Sequence, residues 1–336
     1  MNQCCRLAAA LAGASLACAG APVWAQCTMT SLTLPVTMNG LKPTVSAKVN
    51  GKEARFLVDS GAFFNGISAH FAVDQKMKAA TIDHLGSHVP GEAAAQFVGI
   101  GGQVKAAALV RADEFAFGGS AIKDVPFITL ARLTGEDGLI GQNLLGLFDV
   151  EYDLGHGAMK VLAAKGCKDA NLAYWAKPGT AYSVMPMDWD PDRPATRGTI
   201  WINGVKMRAE FDTGSDTTFI TQRAAARAGV KVTDPGVREA GYSGGMDRGR
   251  IKTWAARFAT VKIGDEEIGN GLLHIGDTSE DAFDVLVGAD FFLSHHVLAS
   301  NSQKKIYFTY EGGQVFNASG KARAAPVEGA TDDRGQ

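Results

Sequence analysis

The chain has 336 residues, of which 46% are hydrophobic, so it can form two domains of ordinary size with a buried core. Its 33 basic and 35 acidic side chains leave a formal net charge of −2, which argues against the basic surface of a nucleic-acid-binding protein. No apolar run is long enough for a membrane span, because the one near the amino terminus is short and rich in small residues.

The amino-terminal segment predicts a secretory signal peptide over residues 1–25. Arg6 is followed by an apolar stretch from Leu7 to Cys18, and Val23-Trp24-Ala25 places small residues at the two positions that a signal peptidase reads. We therefore expect a periplasmic or secreted protein.

Cysteine usage agrees with export. Cleavage after Ala25 would leave Cys27 and Cys167 as the cysteines of the mature chain. Two thiols in an oxidising compartment predict one disulfide, with two unpaired thiols as the alternative.

The strongest feature of the sequence is an internal duplication. An apolar segment leads from Asn50-Gly51 to Asp59, and a similar one leads from Asn203-Gly204 to Asp212 with the same spacing. Asn-Gly between two extended runs predicts a hairpin, because both turn positions need a positive φ. Each half is therefore expected to begin with a hairpin whose second strand ends at an aspartate.

The later part of each half is repeated as well, since the segment from Asp137 to Gly141 recurs from Asp284 to Gly288. Short extended segments separated by glycine turns predict β structure throughout. We predict closing strands from Ala158 to Leu162 and from Ile306 to Tyr310, and short helices from His70 to Ala79, from Gln222 to Ala228, and after Gly141 and Gly288.

Composition divides the chain into five segments. A proline-containing stretch indicates a linker between the halves, and the polar, small residues at the carboxy terminus predict disorder. We assign residues 1–25 to the signal peptide, 26–167 to an amino-terminal lobe, 168–197 to an interlobe linker, 198–312 to a carboxy-terminal lobe and 313–336 to a disordered tail.

Asp59-Ser60-Gly61 and Asp212-Thr213-Gly214 each place a carboxyl at the end of an apolar strand. Either tripeptide alone could be a simple turn, because each is made of turn residues. Two such carboxyls brought together by a pseudo-twofold axis cannot both ionise, so one stays protonated while the other acts as a base. A water between them could then attack a carbonyl group. Asp59 and Asp212 are therefore the candidate catalytic residues.

These segments resemble the aspartic peptidases of the pepsin and retropepsin type, in particular an exported bacterial form with two retropepsin-like lobes. The resemblance covers roughly residues 45–310. Its motifs are the Asp loop at Phe211 to Ser215 and the apolar-apolar-Gly-x-Asn/Asp pattern at Leu139 to Leu145 and at Leu286 to Phe292. It implies an all-β, bilobal acid protease fold with two duplicated β-barrel-like lobes and a few short helices. It also implies a monomer that acts on polypeptide substrates without a metal or an organic cofactor.

The resemblance assigns further roles around the two aspartates. The loop residues that support the pair are Ser60, Gly61, Ala62, Thr213, Gly214 and Ser215. Two glycine-containing hairpins could close over the substrate as flaps or be ordinary turns, and they contain Gly99, Ile100, Gly101 and Gly102 in the first half and Tyr242, Ser243 and Gly244 in the second. The hydroxyl of Ser215, where the first loop has Ala62, is expected to make Asp212 the more acidic member, with the shared proton on Asp59.

Two other chemistries have weaker patterns. The segment from Gly241 to Gly245 fits the Gly-x-Ser-x-Gly elbow of serine hydrolases, but its flanks lack the strand and helix that the elbow needs. His84 and His88 could share a helix face, but Gly86 and Pro90 disfavour that helix. We expect no metal site.

The sequence thus predicts an aspartic endopeptidase that cleaves peptide bonds with a water held between Asp59 and Asp212. A catalytically inactive peptide-binding protein on the same fold is the alternative from a different functional class. The presence of both aspartates favours the enzyme.

Overall fold

The computed structural model describes residues 27–80, 96–99, 102–105, 108–131, 133, 135–190, 194–244, 251–278 and 283–316. The predicted signal peptide and most of the predicted tail lie outside these residues. Within the described ranges, no helix is both long and apolar enough to cross a membrane.

The described chain consists mostly of strands. The strands of the first half are β1 (Thr28–Pro35), β2 (Thr37–Asn39), β3 (Lys42–Val49), β4 (Lys52–Val58), β5 (Gly66–Ser68), β6 (Lys78–Ala79), β7 (Gln96–Gly99), β8 (Gly102–Lys105), β9 (Leu109–Phe117), β10 (Ser120–Leu130), β11 (Gly138–Ile140), β12 (Asp149–Asp153) and β13 (Ala158–Lys165). The strands of the second half are β14 (Ser183–Pro186), β15 (Arg197–Ile202), β16 (Val205–Phe211), β17 (Phe219–Thr221), β18 (Arg238–Ser243), β19 (Ile251–Ile263), β20 (Glu266–Gly276), β21 (Val285–Val287), β22 (His295–Ser300) and β23 (Lys305–Tyr310). The helices are α1 (Ala69–Asp74), α2 (Gln142–Leu145), α3 (Gln222–Arg227) and α4 (Ala289–Phe292), and a 3-10 turn spans Leu154–His156.

The first half forms an eight-stranded sheet in the order β2-β3-β4-β11-β5-β10-β9-β6. Because β3 also pairs with β9, six of these strands close into a barrel. The hairpin between β3 and β4 turns at Asn50 and Gly51, whose φ angles are 49° and 83°, as the sequence predicts. Phe56 and Phe115 pack edge to face inside this barrel, with ring centroids 5.1 Å apart.

The second half repeats this arrangement in a seven-stranded sheet of order β15-β16-β21-β17-β20-β19-β18. The pairing of β15 with β19 closes six of its strands into a second barrel. Its first hairpin turns at Asn203 and Gly204, whose φ angles are 49° and 76°. The predicted all-β, bilobal fold with two duplicated barrels and a few short helices is therefore confirmed.

A third sheet joins the two halves, in the order β1-β13-β12-β22-β23-β14. Its centre is the antiparallel pair β12–β22, in which Glu151 lies opposite Leu298 and Tyr152 opposite Val297. Both predicted closing strands belong to this sheet, as β13 and β23. The segment that the sequence analysis assigned to the linker contains β14, and Phe316 at the start of the expected tail is buried.

The short helices lie close to their predicted positions. Helix α1 is capped by Ser68, whose Oγ accepts from the N–H of Phe71 at 3.1 Å. The predicted extension of this helix to Ala79 is wrong, because Lys76 adopts a left-handed φ of 49° that ends it and allows β6 to form. Helix α3 ends at Arg227, one residue before the predicted end, and α2 and α4 follow the two predicted glycines.

The predicted disulfide between Cys27 and Cys167 is present, with Cα atoms 4.4 Å apart. It joins the residue before β1 to the segment after β13, and these two strands pair along their whole length. Its two cysteines are 140 residues apart in the sequence, so the bond closes a long loop in the unfolded chain. A cross-link of this kind stabilises a fold mainly by restricting its unfolded state.

Replacement of both cysteines, Cys27→Ser with Cys167→Ser, should lower the free energy of unfolding by about 2–5 kcal/mol. Urea unfolding of the oxidised chain and of the double variant measures this difference. A reductant should lower the midpoint of the unaltered chain and leave that of the double variant unchanged. Equal midpoints for the two oxidised proteins would show that the bond does not restrict the unfolded chain.

Candidate active site

The two candidate aspartates occupy equivalent places in the two barrels. Asp59 follows β4, and its N–H donates to the carbonyl of Ile140 on β11 at 3.0 Å. Asp212 follows β16, and its N–H donates to the carbonyl of Val287 on β21 at 2.9 Å. Each aspartate is thus held by a strand of the second repeated motif, which runs parallel to the strand that precedes the aspartate.

The two carboxyls meet at the junction of the lobes. A Cβ atom on Gly61 would lie 2.5 Å from Cγ of Asp212, and one on Gly214 would lie 2.5 Å from Cγ of Asp59. The carboxyl of each half therefore lies against the glycine in the loop of the other half, and the two carboxyls are hydrogen-bonded to each other. Glycine is required at both positions, because a larger side chain would overlap the opposite carboxyl.

Ser60 and Thr213, both fully buried, hold the two loops together. Ser60 Oγ donates to the carbonyl of Phe211 at 2.8 Å and accepts from the N–H of Thr213 at 3.0 Å. Thr213 Oγ1 donates to the carbonyl of Val58 at 2.7 Å and accepts from the N–H of Ser60 at 3.1 Å. Because these residues adjoin the aspartates in the chain, their reciprocal hydrogen bonds fix the separation of the two carboxyls.

The two carboxyls accept different sets of backbone hydrogen bonds from their own loops. Asp59 Oδ1 accepts from the N–H groups of Gly61, at 3.1 Å, and Ala62, at 2.8 Å. Asp212 Oδ1 accepts from the N–H of Gly214 at 2.8 Å. Hydrogen bonds donated to a carboxylate favour its charged form, so this difference favours the charge on Asp59.

The role expected for the Ser215 hydroxyl is wrong. Its Oγ donates to the carbonyl of Thr217 at 3.1 Å, because the loop turns the hydroxyl toward that carbonyl. The N–H of Ser215 contacts the backbone carbonyl of Asp212 at 3.2 Å, whereas the N–H of Ala62 reaches a carboxyl oxygen. The fourth loop position does distinguish the halves, but through the direction of its N–H group.

Burial raises the pKa of both carboxyls above the ordinary value for aspartic acid. The pKa of Asp212 is raised well above that value, first by burial and then by the negative charge of Asp59, although hydrogen bonds from the N–H groups of Gly214 and Gly61 oppose this effect. Burial also raises the pKa of Asp59, but hydrogen bonds from Asp212 and from the N–H groups of Ala62 and Gly61 oppose this effect. The hydrogen bond from the Ala62 N–H, which has no counterpart at Ser215, favours the charge on Asp59 and the proton on Asp212, opposite to the expected order.

The first predicted flap is a two-stranded hairpin. β7 and β8 pair antiparallel, with Gly99 opposite Gly102. Ile100 and Gly101 lie outside the described residues. Its closure over a substrate stays a prediction.

The second predicted flap lies on an edge strand of the second barrel. Tyr242 and Ser243 belong to β18, which pairs with β19, and Gly244 follows it. The strand is irregular at Gly241, whose φ of 87° is one that glycine adopts readily. Tyr242 is 62% exposed, so it is accessible for contact with another molecule. Its role in substrate binding also stays a prediction.

The segment from Gly241 to Ser243 is not arranged as the nucleophile elbow of a serine hydrolase. Ser243 ends the edge strand β18, whereas a nucleophile elbow follows a strand inside a sheet. The buried histidines His295 and His296 contact Glu266 and Glu151, each at 2.9 Å.

The structure gives no candidate metal centre within the residues it describes. In those ranges, His, Cys, Asp and Glu side chains form no group of three or more that could hold an ion. His84 and His88 lie outside these ranges.

Three buried residues beside the pair were not singled out from the sequence. Gln142 donates to the carbonyl of Ser60 at 2.6 Å, Tyr152 on β12 is hydrogen-bonded to Ser60, and the charge of Glu210 raises the pKa of Asp59. The sequence does contain a signal for Gln142, because the other copy of the motif has Ala289 at that position. It contains none for Tyr152, whose position depends on pairing between the two halves.

Comparison with protein families matches the chain to a family described as aspartyl protease. The family model matches the chain twice, over residues 45–144 and 198–291, which together make up more than half of its length. Each match spans one aspartate loop and the supporting motif of the same barrel. A comparison with curated proteins gives no match.

Two variants of Thr213 distinguish the contribution of its hydroxyl group from that of its shape. Thr213→Val leaves the N–H of Ser60 and the carbonyl of Val58 without their buried partner, and each such loss costs about 1–3 kcal/mol. We expect a fall of about 3 kcal/mol in the free energy of unfolding, measured with urea. Thr213→Ser keeps both hydrogen bonds and should cost about 1 kcal/mol for the lost methyl group. Equal stability of the two variants would contradict a locking role for the hydroxyl.

Proposed function

The chain belongs to the aspartyl protease family, and from that premise we propose that it is an aspartic endopeptidase that hydrolyses peptide bonds with a water held between Asp59 and Asp212. The observation that carries this proposal is the meeting of two hydrogen-bonded carboxyls, one from each barrel, of which Asp59 is buried and Asp212 half-buried. Such a pair supplies a base and an acid at one place.

In the proposed reaction, the charged carboxylate of Asp59 takes a proton from the water as its oxygen attacks the carbonyl carbon of the substrate. The protonated carboxyl of Asp212 donates its proton to the carbonyl oxygen, which yields a tetrahedral diol. Asp59 then passes its proton to the amide nitrogen, the carbon–nitrogen bond breaks, and Asp212 recovers a proton from the diol. The backbone hydrogen bonds to Asp59 support this division of roles.

The proposed substrates are extended segments of polypeptide that lie between the lobes, with one or both glycine-containing hairpins closing over them. A single chain contributes both aspartates, which supports action as a monomer. The disulfide and the predicted signal peptide support a periplasmic or secreted location, where oxidised cysteines persist.

Digestion of casein or of a peptide library across acidic pH tests the proposed activity. Asp59→Asn and Asp212→Asn should each reduce cleavage by about 10²-fold to 10⁴-fold, because each removes one member of the acid–base pair. Pepstatin should inhibit the unaltered chain. Asp113→Asn is the matched control, because Asp113 is an exposed partner of Lys78 at 2.9 Å, and it should retain full activity.

Cleavage that survives both substitutions would refute the proposed mechanism. Peptide binding without any cleavage by the unaltered chain would instead favour the inactive peptide-binding protein.

The raised pKa of Asp212 predicts how stability depends on pH. The folded chain keeps this proton at pH values where the unfolded chain has lost it, so stability falls as pH rises from the ordinary aspartic acid pKa through the raised pKa. Asp212→Asn should therefore be more stable than the unaltered chain above this range, with a flatter dependence on pH. Thermal unfolding over a pH series measures the effect, with Asp113→Asn as the control. Parallel curves for all three proteins would contradict the raised pKa.

A further inference from the structure

The two catalytic loops are supported by residues that correspond in position but differ in chemistry. The N–H of Gln142, at the start of α2, donates to the carbonyl of Ala62 at 2.8 Å. The N–H of Ala289, at the start of α4, donates to the carbonyl of Ser215 at the same distance of 2.8 Å. This backbone hydrogen bond is therefore the same in the two halves, whereas the side chains at this position differ.

The side chain of Gln142 connects the first loop to the other half. Its Nε2 donates to the carbonyl of Ser60 at 2.6 Å and to Oγ1 of Thr196, just before β15, at 3.2 Å. Gln142 is only 3% exposed, so both hydrogens of its amide are used away from water. Ala289 has no group that could donate to the corresponding carbonyl of Thr213.

The carbonyl of Ser60 and the N–H of Gly61 belong to the same peptide group. That N–H donates to Oδ1 of Asp59 at 3.1 Å, and it also acts on the carboxyl of Asp212, where it is the smallest of the influences on the pKa. A donor at the carbonyl end of a peptide polarises it and strengthens the N–H at the other end, and this effect is greatest where water is excluded. The side chain of Gln142 thus acts on the carboxyl of Asp59 through one intervening peptide.

We infer that Gln142 is a positioning residue that biases the negative charge of the aspartate pair toward Asp59 and has no counterpart in the second half. This inference rests on the proposed function, because it assigns the base of that reaction to one of the two aspartates. The effect of Gln142 adds to that of the Ala62 N–H, which also favours the charged form of Asp59.

Other groups near the pair also act on its charge, but they remain constant when Gln142 is changed. The charge of Glu210 on β16 acts on Asp59, and Glu210 is paired with Arg197 on β15 at 2.9 Å. Tyr152, on β12 of the shared sheet, interacts electrostatically with both carboxyls. A comparison of variants at Gln142 therefore isolates the contribution of its amide.

The test compares Gln142→Met with Leu144→Met in the full chain. Gln142→Met keeps the volume of the side chain and removes both donors. Leu144→Met introduces the same side chain at another buried position of the same helix and removes no donor. The acid limb of the kcat/KM profile should move upward by about half a pH unit in Gln142→Met, because the lost donor had favoured the charged base. It should stay in place in Leu144→Met.

A purely structural role would lower the stability of Gln142→Met and leave this limb unchanged, and that result would overturn the inference. An equal shift in Leu144→Met would overturn it as well. If Gln142→Met does not fold, Gln142→Leu serves as the second variant that lacks both donors.

Carbon-13 NMR titration of the aspartate carboxyls gives a measurement that does not depend on catalysis. Signals of the pair are identified by their loss in Asp59→Asn and Asp212→Asn. The lower of the two apparent pKa values should rise in Gln142→Met by the same amount as the acid limb. If the unaltered chain does not cleave peptides, the proposed function fails, and this titration still decides whether Gln142 biases the pair.

Discussion

Two carboxyl groups held side by side away from bulk water favour a state in which they share one negative charge, and much of the structure serves to hold them in that state. Burial raises the pKa of Asp59 and Asp212 and therefore makes their ionisation unfavourable for the folded chain. The fold must overcome this cost with interactions elsewhere. A loose junction would let water in, and the carboxyls would then ionise separately.

Three sets of interactions keep the junction rigid, each at a different distance from the carboxyls. Closest are the reciprocal hydrogen bonds between Ser60 and Thr213, which connect the residues next to the two aspartates. Further away, β12 and β22 pair across the halves and make the shared sheet continuous. The disulfide of Cys27 then fixes the outer strand of that sheet. Displacement of one lobe would break hydrogen bonds at both inner levels, so the separation of the carboxyls is set by the whole interface.

The sequence predicts the parts of this structure that depend on local chemistry or on repetition. The Asn-Gly turns, the aspartate loops and the disulfide cysteines are readable because each needs particular residues at a fixed spacing. The shared sheet cannot be predicted from the sequence, because strands such as β12 and β22 lie far apart in the chain and no local pattern indicates that they pair. The left-handed Lys76 and the direction of the Ser215 N–H were missed for a related reason, since both are set by surrounding structure and not by residue type.

Duplication places the two aspartates in nearly identical barrels, but the proposed reaction needs one base and one acid. Symmetry therefore has to be broken by residues that differ between the copies, and two such differences lie beside Asp59. The N–H of Ala62 reaches the carboxyl of Asp59, and the amide of Gln142 acts on the same loop through its peptide group. Both favour the charged form of the same aspartate, so their effects add. The twofold arrangement brings the carboxyls together, and these few unmatched contacts determine which of them holds the proton.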